Sequence, residues 1–158
     1  MTAAHIVADL TARRQHLAVA ESLTGGMVAA AITGVPGASA VFRAGIVAYT
    51  PRMKSTLVGV DAELIANAGV VSGEVASALA TGVRERCGTD WGVGTTGAAG
   101  PEAHGGQPPG TVWIAVAAAD GTVSARRLII DGDRETVRSG AVSGVLALLT
   151  ERLDVGAT

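Results

Sequence analysis

The apolar part of this sequence is dominated by small residues, and that constrains how its helices and strands can pack. The chain has 30 alanines and 22 glycines among 158 residues, against only four aromatic residues. Such residues fill a core at normal density only if the backbones of neighbouring elements approach closely. The length is that of one domain with enough chain to bury a core. We therefore expect a single, closely packed domain over residues 1–158.

Apolar periodicity and turn signals divide the chain into alternating helices and strands. The spacing of apolar residues in Thr2–Arg14 predicts a first helix, and Asp133 is placed to cap a last one. Asp120-Gly121 is a two-residue hairpin signal between strands at 111–119 and 122–130, which should run antiparallel. The pattern predicts a layered α/β domain with a mixed sheet. The other predicted elements are strands at 16–20, 45–49 (buried) and 91–95, and helices at 27–33, 36–42, 51–59 and 62–68 and one capped by Ser72.

Several classes of protein are excluded by hydropathy, charge and cysteine content. The longest apolar runs, Met27–Ile32 and Ile114–Ala119, fall far short of the roughly 20 residues that span a bilayer. The N-terminal segment lacks the pattern of a signal peptide. A single cysteine and three scattered histidines offer no internal disulfide and no zinc-type spacing. A formal charge of −2 with no basic run removes the main driving force for nucleic-acid binding. We expect a cytoplasmic protein with no metal and no nucleic-acid or membrane partner.

Two glycine-rich segments could bind a ligand through backbone N–H groups. Residues Gly92–Gly97 match the dinucleotide fingerprint GxGxxG, but the match lies inside a predicted strand and no long helix can follow it. We interpret it as a buried strand, whose end at 96–101 exposes N–H groups to a ligand. Residues Ser22–Gly26 lead from a strand into a helix, where free N–H groups favour an anion such as phosphate. A plain helix cap by Ser22 or Thr24 is the alternative.

The basic residues are unusual, because 11 of the 12 are arginine and Lys54 is the only lysine. A lone lysine is most often a solvated surface residue. A desolvated lysine, however, can lose its proton and act as a general base, which arginine cannot do. Ser39 follows a glycine turn and is a candidate nucleophile for a Ser–Lys pair. Tyr49, at the end of a predicted strand, could relay the proton or hold the hydroxyl.

Six short motifs run in order along nearly the whole chain. They are AESLTGG at 20–26, GASAVF at 37–42, a tyrosine and a lysine at 49 and 54, TGAAGP at 96–101, GTVW at 110–113, and GDR at 132–134 followed by Arg138. They resemble AES-x-TGG, GSSAxF, Y-x4-K, TGIAGP, GTVW and GDRxxxR in the C-terminal domain of the CinA (competence/damage-inducible) family. Six ordered motifs at compatible spacing argue against a chance agreement.

This resemblance implies a three-layer α/β/α domain and an enzyme, because stand-alone members of the family are nicotinamide-nucleotide amidohydrolases. The implied reaction converts nicotinamide mononucleotide to nicotinate mononucleotide and ammonia, with no cofactor. It uses a serine nucleophile with lysine and tyrosine partners, which fall on Ser39, Lys54 and Tyr49. The residues implied to bind the nucleotide are Ser22, Thr24, Gly25, Thr96, Gly97, Ala99, Gly100 and Arg134.

Two other functions stay open at the level of the sequence. One is a non-catalytic nucleotide-binding module of the competence/damage-inducible type, although the intact Ser39, Tyr49 and Lys54 argue against it. The other is an amidase for a different small amide. The chain is too short for the second, N-terminal domain of long family members, so the nucleotide-diphosphate hydrolase activity of that domain is not expected. The small residues favour close docking of subunits, and we expect a homodimer.

Overall fold

Five strands form one mixed sheet in the computed structural model, which describes residues 3–156. The spatial order of the strands, numbered along the chain, is β2-β1-β3-β4-β5. The first strand is parallel to both of its neighbours, and the fourth is antiparallel to both of its own, which confirms the predicted mixed sheet and its antiparallel pair. The two-residue turn predicted at Asp120-Gly121 is wrong, because Ala117 pairs with Val123 and the amide of Ala118 donates to the carbonyl of Thr122, so residues 119–121 form the turn. The strands are β1 (Leu17–Glu21), β2 (Phe42–Val47), β3 (Trp91–Gly97), β4 (Thr111–Ala117) and β5 (Val123–Ile129).

Helices cover both faces of this sheet. They are α1 (Ala3–Arg13), α2 (Met27–Thr33), α3 (Pro51–Val58), α4 (Ala62–Ala68), α5 (Gly73–Cys87) and α6 (Arg134–Val155). The apolar residues of α1, α2 and α6 form one core with the sheet, and those of α3, α4 and α5 form a second core on the opposite face. The three α/β/α layers that the resemblance implied are therefore present.

Capping residues begin the helices where the sequence predicts. The side chains of Asp61, Ser72 and Asp133 each accept a hydrogen bond from an amide in the first turn of α4, α5 and α6. Pro51 begins α3, and the Thr50 hydroxyl caps it. These bonds satisfy N–H groups that have no partner within their own helix.

Helix α5 packs very close to the backbone of the central strand β3. A Cβ on Gly92 would overlap the carbonyl of Ala80, and a Cβ on Gly94 would overlap the carbonyl of Ala76. Only glycine lets the helix lie this near the sheet. The glycines of the dinucleotide-like segment therefore serve helix packing, as the interpretation of a buried strand requires.

The segment between α2 and α3 differs from the prediction. Residues 36–42 contain only a 3-10 turn at Ala38–Ala40, and β2 begins at Phe42 and ends at Val47. The prediction of a buried strand at 45–49 is wrong, because β2 is an edge strand whose residues alternate between partly buried and exposed. Apolar composition alone does not distinguish an edge strand from a central one.

Two further predictions concern the ends and the hydropathy of the chain. Thr2, where the first helix was predicted to begin, lies outside the described residues, and α1 is described from Ala3. Within residues 3–156, no helix is both long and apolar enough to cross a bilayer.

Candidate active site

A cleft of about 490 Å³ opens at the carboxyl ends of β1 and β3. The carboxyl ends of parallel strands are where ligands commonly bind in α/β folds. The loops that follow the strands meet there with the first residue of α6. The sequence-predicted residues that line the cleft are Ser22, Tyr49, Gly97, Ala99, Gly100 and Arg134.

Ser22 and Lys54 form a hydrogen-bonded pair at this cleft. Lys54 Nζ donates to Ser22 Oγ at 2.9 Å and to the carbonyl of Ala48 at 3.0 Å. Ser22 directly follows β1, and its amide is tied to the carbonyl of Thr95 in β3 at 3.2 Å. The serine lines the cleft, whereas the lysine behind it is only 1% exposed. The arrangement places an amine directly behind a hydroxyl that a ligand can reach.

Burial changes the acid–base behaviour of Lys54. Its side chain extends from the first turn of α3 into the core beneath the end of β2, with Ser22 and Ala48 as hydrogen-bond partners. No ion pair among residues 3–156 includes it. Desolvation lowers the pKa of Lys54 from 10.5 to about 8. A usable fraction of the amine is therefore neutral near pH 7 and can accept a proton.

Tyr49 and Arg134 close one side of the cleft. Arg134 Nη2 donates to Tyr49 Oη at 3.0 Å, and Arg134 Nη1 donates to the carbonyl of Gly100 at 2.9 Å. The tyrosine is 53% exposed, so its ring is accessible to a ligand. Its hydroxyl is bonded to the arginine rather than to the Ser22–Lys54 pair.

The structure does not bring Ser39 to Lys54. Ser39 is exposed in the turn before β2 and lines a separate pocket with Thr33 and Phe42. Tyr49 and Lys54 follow the other end of the same strand. Because β2 has six residues that rise about 3.3 Å each, its two ends are about 16 Å apart. The expected Ser39–Lys54 pair is thus not formed, and Ser22 occupies that position.

The N-terminus of α2 is not an open anion site, because a carboxylate of the chain occupies it. Glu21 Oε1 accepts a hydrogen bond from the amide of Val28 at 2.8 Å, and Oε2 accepts one from Ala29 at 3.0 Å. The amides of Gly25 and Met27 are also bonded, to carbonyls within the turn. The phosphate site expected at Ser22–Gly26 is therefore taken by Glu21, whose role the sequence analysis missed.

Three predicted substrate-binding residues support the cleft without lining it. The hydroxyls of Thr24 and Thr95 share a buried hydrogen bond of 2.8 Å. Thr96 Oγ1 donates to the carbonyl of Val70 at 2.8 Å and is likewise buried. Gly25 lies in the turn with φ +57°, a conformation that favours glycine. Because these hydroxyls are buried and already paired, they support the residues that line the cleft rather than contact a ligand.

The far wall of the cleft comes from the loop between β3 and β4, most of which the sequence analysis did not assign. The backbone of His104 exchanges two hydrogen bonds with that of Gln107, at 3.0 and 2.9 Å, which fixes its place in the loop. The only signal in the sequence was the run of glycine and proline after residue 99, which predicts a loop but no orientation. The additional lining residues are Leu23, Pro101, Glu102, Ala103 and His104.

The part of the chain that the structure describes holds no group of three or more His, Cys, Asp and Glu side chains arranged as metal ligands.

Comparison with known proteins gives the family of this chain. The model of the CinA C-terminal domain matches residues 1–153. The chain belongs to the CinA C-terminal domain family. The resemblance carried by the six motifs is thereby confirmed.

Curated relatives and solved structures agree with this assignment. A CinA-like protein from Frankia casuarinae is 47% identical over 144 residues, and one from Anaeromyxobacter sp. strain K is 50% identical over 147 residues. Each match covers 91% of this chain but 33% and 35% of the relative, so the chain spans about a third of the length of these relatives.

Solved CinA structures match the described fold over nearly their whole length. A competence-damaged protein (CinA) superfamily protein from Klebsiella pneumoniae has a TM-score of 0.92 and 33% identity, covering 96% of this chain and 95% of that one. A competence/damage-inducible protein from Agrobacterium tumefaciens has a TM-score of 0.91 and 34% identity, covering 96% and 93%. The mixed sheet with helices on both faces is thus the fold of solved CinA proteins.

Proposed function

We propose that this CinA domain is a serine amidohydrolase in which Ser22 is the nucleophile and Lys54 is its general base. The observation that carries the proposal is the 2.9 Å hydrogen bond from Lys54 Nζ to Ser22 Oγ at the cleft. Lys54 keeps the role that the resemblance implied, and Ser22 takes the role that it implied for Ser39. A nucleophile within hydrogen-bond reach of a base with a lowered pKa is the arrangement that covalent catalysis requires.

In the proposed first half-reaction, neutral Lys54 accepts the hydroxyl proton of Ser22 while Oγ attacks the carboxamide carbon. The C–N bond then breaks, and Lys54 returns the proton to the departing nitrogen, which leaves as ammonia. In the second half-reaction, Lys54 accepts a proton from water as the water oxygen attacks the ester carbon. The bond to Ser22 Oγ breaks as Lys54 returns this proton to it, and the acid product loses its own proton to water and leaves as a carboxylate.

Backbone amides around Ser22 are suited to stabilise the oxyanion of each tetrahedral intermediate. The amides of Leu23, Ala99 and Gly100 donate no hydrogen bond to residues that the structure describes. Leu23 directly follows the nucleophile, and the other two lie in the opposite wall of the cleft. Fixed N–H donors aimed at a developing negative charge are typically a large contribution to catalysis.

The substrate proposed for this site is nicotinamide mononucleotide, the substrate that the resemblance implies. Its carboxamide is carried by a cationic pyridinium ring, and the exposed ring of Tyr49 offers an aromatic face for a cation. Its phosphate needs cationic or N–H donors, which Arg134 and His104 provide in the cleft. With Glu21 at the N-terminus of α2, the phosphate site is assigned to these two residues instead.

The proposal is tested by measuring ammonia released from nicotinamide mononucleotide by the wild type and by Lys54→Arg. The variant keeps the charge but cannot supply a neutral amine, so kcat is expected to fall about a hundredfold or more. Arg43→Lys, an exposed change far from the cleft, is the matched control and should keep the wild-type rate. Equal rates for the wild type and Lys54→Arg would contradict the assignment of the base.

Parallel substrates separate this proposal from its alternatives. Free nicotinamide lacks the phosphate, and we expect its kcat/KM to be far below that of the mononucleotide. Equal values would favour an amidase for other small amides. Binding of the mononucleotide without any release of ammonia would favour the non-catalytic nucleotide-binding module.

A further inference from the structure

We propose that Glu21 is a positioning residue that holds Ser22 against Lys54, a role that rests on the proposed function of Ser22 as the nucleophile. Glu21 is the last residue of β1 and immediately precedes the serine. It is fully buried, with 0% exposure. Its two carboxylate oxygens accept the amides of Val28 and Ala29 at 2.8 and 3.0 Å. Charge-assisted bonds to two amides give this carboxylate a fixed geometry.

Glu21 differs from the ordinary helix caps of the chain in where it lies. Thr50, Asp61 and Ser72 each immediately precede the helix that they cap. Glu21 lies in β1, and the whole Ser22–Gly26 turn separates it from α2. Its hydrogen bonds therefore join the two ends of that turn. A contact that closes a loop in this way limits the backbone motion of every residue in the loop, including Ser22.

The two neighbouring side chains point to opposite faces of the sheet. Successive side chains alternate along a strand. Glu21 bonds α2 on one face, whereas Ser22 bonds Lys54 of α3, whose apolar residues belong to the core on the other face. Glu21 has no hydrogen bond to Ser22 Oγ or to Lys54, so it is joined to the pair through the backbone of the turn.

Arg138 of α6 fixes the same turn from a second direction. Its Nε donates to the carbonyl of Leu23 at 2.8 Å, and Nη2 donates to the carbonyl of Thr24 at 3.3 Å. A Cβ on Gly25 would lie 3.1 Å from Nη2, so the turn leaves little room beside the guanidinium. Glu21 thus ties β1, which precedes the turn, to α2, which follows it, and Arg138 binds two carbonyls within the turn.

The consequence is specific to the chemical step. Neither Glu21 nor Arg138 lines the cleft, so loosening the turn changes the distance from Ser22 Oγ to Lys54 Nζ without removing a substrate contact. A displacement of about 1 Å at a reacting atom can cost about a hundredfold in rate. The effect should therefore appear in kcat and leave KM nearly unchanged.

The experiment compares Glu21→Gln with the wild type by two readouts. Glutamine keeps the size of the side chain and one carbonyl acceptor, but its NH2 group faces an amide donor. We expect kcat for the mononucleotide to fall about tenfold to a hundredfold. Covalent labelling of Ser22 by a fluorophosphonate probe, followed by mass spectrometry, should slow by a similar factor. Arg138→Gln should give a reduction of the same kind if Glu21→Gln proves difficult to fold.

Asp61→Asn is the matched control, since it makes the same carboxylate-to-amide change at the cap of α4, away from the cleft. Both readouts should stay at wild-type values in this variant. The positioning role would be overturned if Glu21→Gln kept the wild-type labelling rate and kcat. It would also be overturned if Asp61→Asn lost as much of both as Glu21→Gln does. Wild-type Ser22 that takes no label would overturn both this role and the proposed nucleophile. A third outcome separates the two proposals. If the wild type does not hydrolyse the mononucleotide but Glu21→Gln is labelled more slowly than the wild type, the proposed substrate is rejected and the positioning role of Glu21 is kept.

Discussion

Ser22 and Ser39 both lie in short segments of small residues, and each has one cation beside it, but their surroundings differ. Behind Ser22 stands the amine of Lys54, which is 1% exposed and bonded to the hydroxyl itself. Beside Ser39 lies the exposed guanidinium of Arg43, which donates to the backbone carbonyls of Ser39 and Ala40, at 3.4 and 3.5 Å, and not to the serine hydroxyl. One serine follows β1 at the ligand-binding edge of the sheet, and the other precedes β2 at the opposite edge. A serine next to a cation becomes a candidate nucleophile only where the cation can lose its proton and a ligand can arrive.

The largest expected effect is the removal of one hydroxyl or the other. Ser22→Ala should lower kcat for ammonia release about a thousandfold or more, because the covalent route is lost. Ser39→Ala removes an exposed hydroxyl from a separate pocket and should keep the wild-type rate. The measurement is ammonia release from the mononucleotide by both variants at saturating substrate. Full activity in Ser22→Ala would contradict Ser22 as the nucleophile. Loss of activity in Ser39→Ala would show that Ser39 is needed for the reaction.

The contrast between the two serines also shows which features of the fold and the site can be predicted from the sequence. The excess of small residues predicted close packing, which Gly92 and Gly94 show under α5, and local signals predicted the caps at Asp61 and Ser72. These inferences were confirmed because each depends on composition or on residues near one another in the sequence. The functional role of Lys54, which its being the only lysine suggested, stays a prediction.

The predictions that failed required knowledge of spatial relations. Which serine meets Lys54 depends on the order and direction of β1 and β2, and the motif spacing does not record that order. The capture of the α2 N-terminus by Glu21 joins two elements across a turn. A carboxylate in a buried strand gives no local sign that it serves as a distant helix cap. The orientation of His104 likewise follows from how its loop folds back over the cleft.

The second prediction uses stability to test whether the cation beside Ser22 is truly desolvated. The folded protein has a lower Lys54 pKa than the unfolded chain, about 8 against 10.5. Below pH 8 both states are protonated and the full cost of burying the charge is present. Between pH 8 and 10.5 only the unfolded state binds the proton, so this cost is relieved by about 3 kcal/mol as the pH rises.

Replacing Lys54 by methionine removes that titration. The free energy of unfolding of Lys54→Met minus that of the wild type should be largest at or below pH 8. This difference should decrease by about 3 kcal/mol by pH 10.5, because the wild type is stabilised as Lys54 loses its proton. Urea unfolding of both proteins across this range supplies the measurement. Arg43→Met, beside Ser39, should show a difference from wild type that does not change with pH. A constant gap for Lys54→Met would mean that Lys54 is solvated in the folded protein.

The third prediction concerns the pH dependence of the reaction. If neutral Lys54 is the base, kcat/KM should rise with pH and level off above about pH 8. Well below pH 8 the rate should fall about tenfold for each unit, as the neutral fraction of one group does. Initial rates on the mononucleotide from pH 6 to 9.5 measure this profile. A rate independent of pH in that range would show that the proton goes elsewhere.

The smallest expected effect is on substrate binding by His104, at the cleft beside Ser22. The side chains that line this cleft differ in charge and polarity from those that line the pocket beside Ser39. The Ser39 pocket is lined by apolar groups and hydroxyls, whereas His104 and Arg134 line the Ser22 cleft. Removing the imidazole by His104→Ala takes away one donor to the phosphate while Arg134 stays, so KM for the mononucleotide should rise only about threefold to tenfold. The backbone bonds between His104 and Gln107 do not depend on the side chain, so the loop should keep its place.

The dephosphorylated nucleoside separates this contact from a general disturbance of the cleft. Its kcat/KM should be the same in His104→Ala and the wild type, because it has no phosphate for the imidazole to bind. His5→Ala, an exposed histidine on α1 away from the cleft, should leave the KM of both substrates unchanged. An equal loss on the nucleoside and the mononucleotide would assign His104 to the shape of the loop instead. The phosphate contact would then rest on Arg134 alone. Two of its five N–H groups donate to Tyr49 and Gly100, which leaves three for the phosphate.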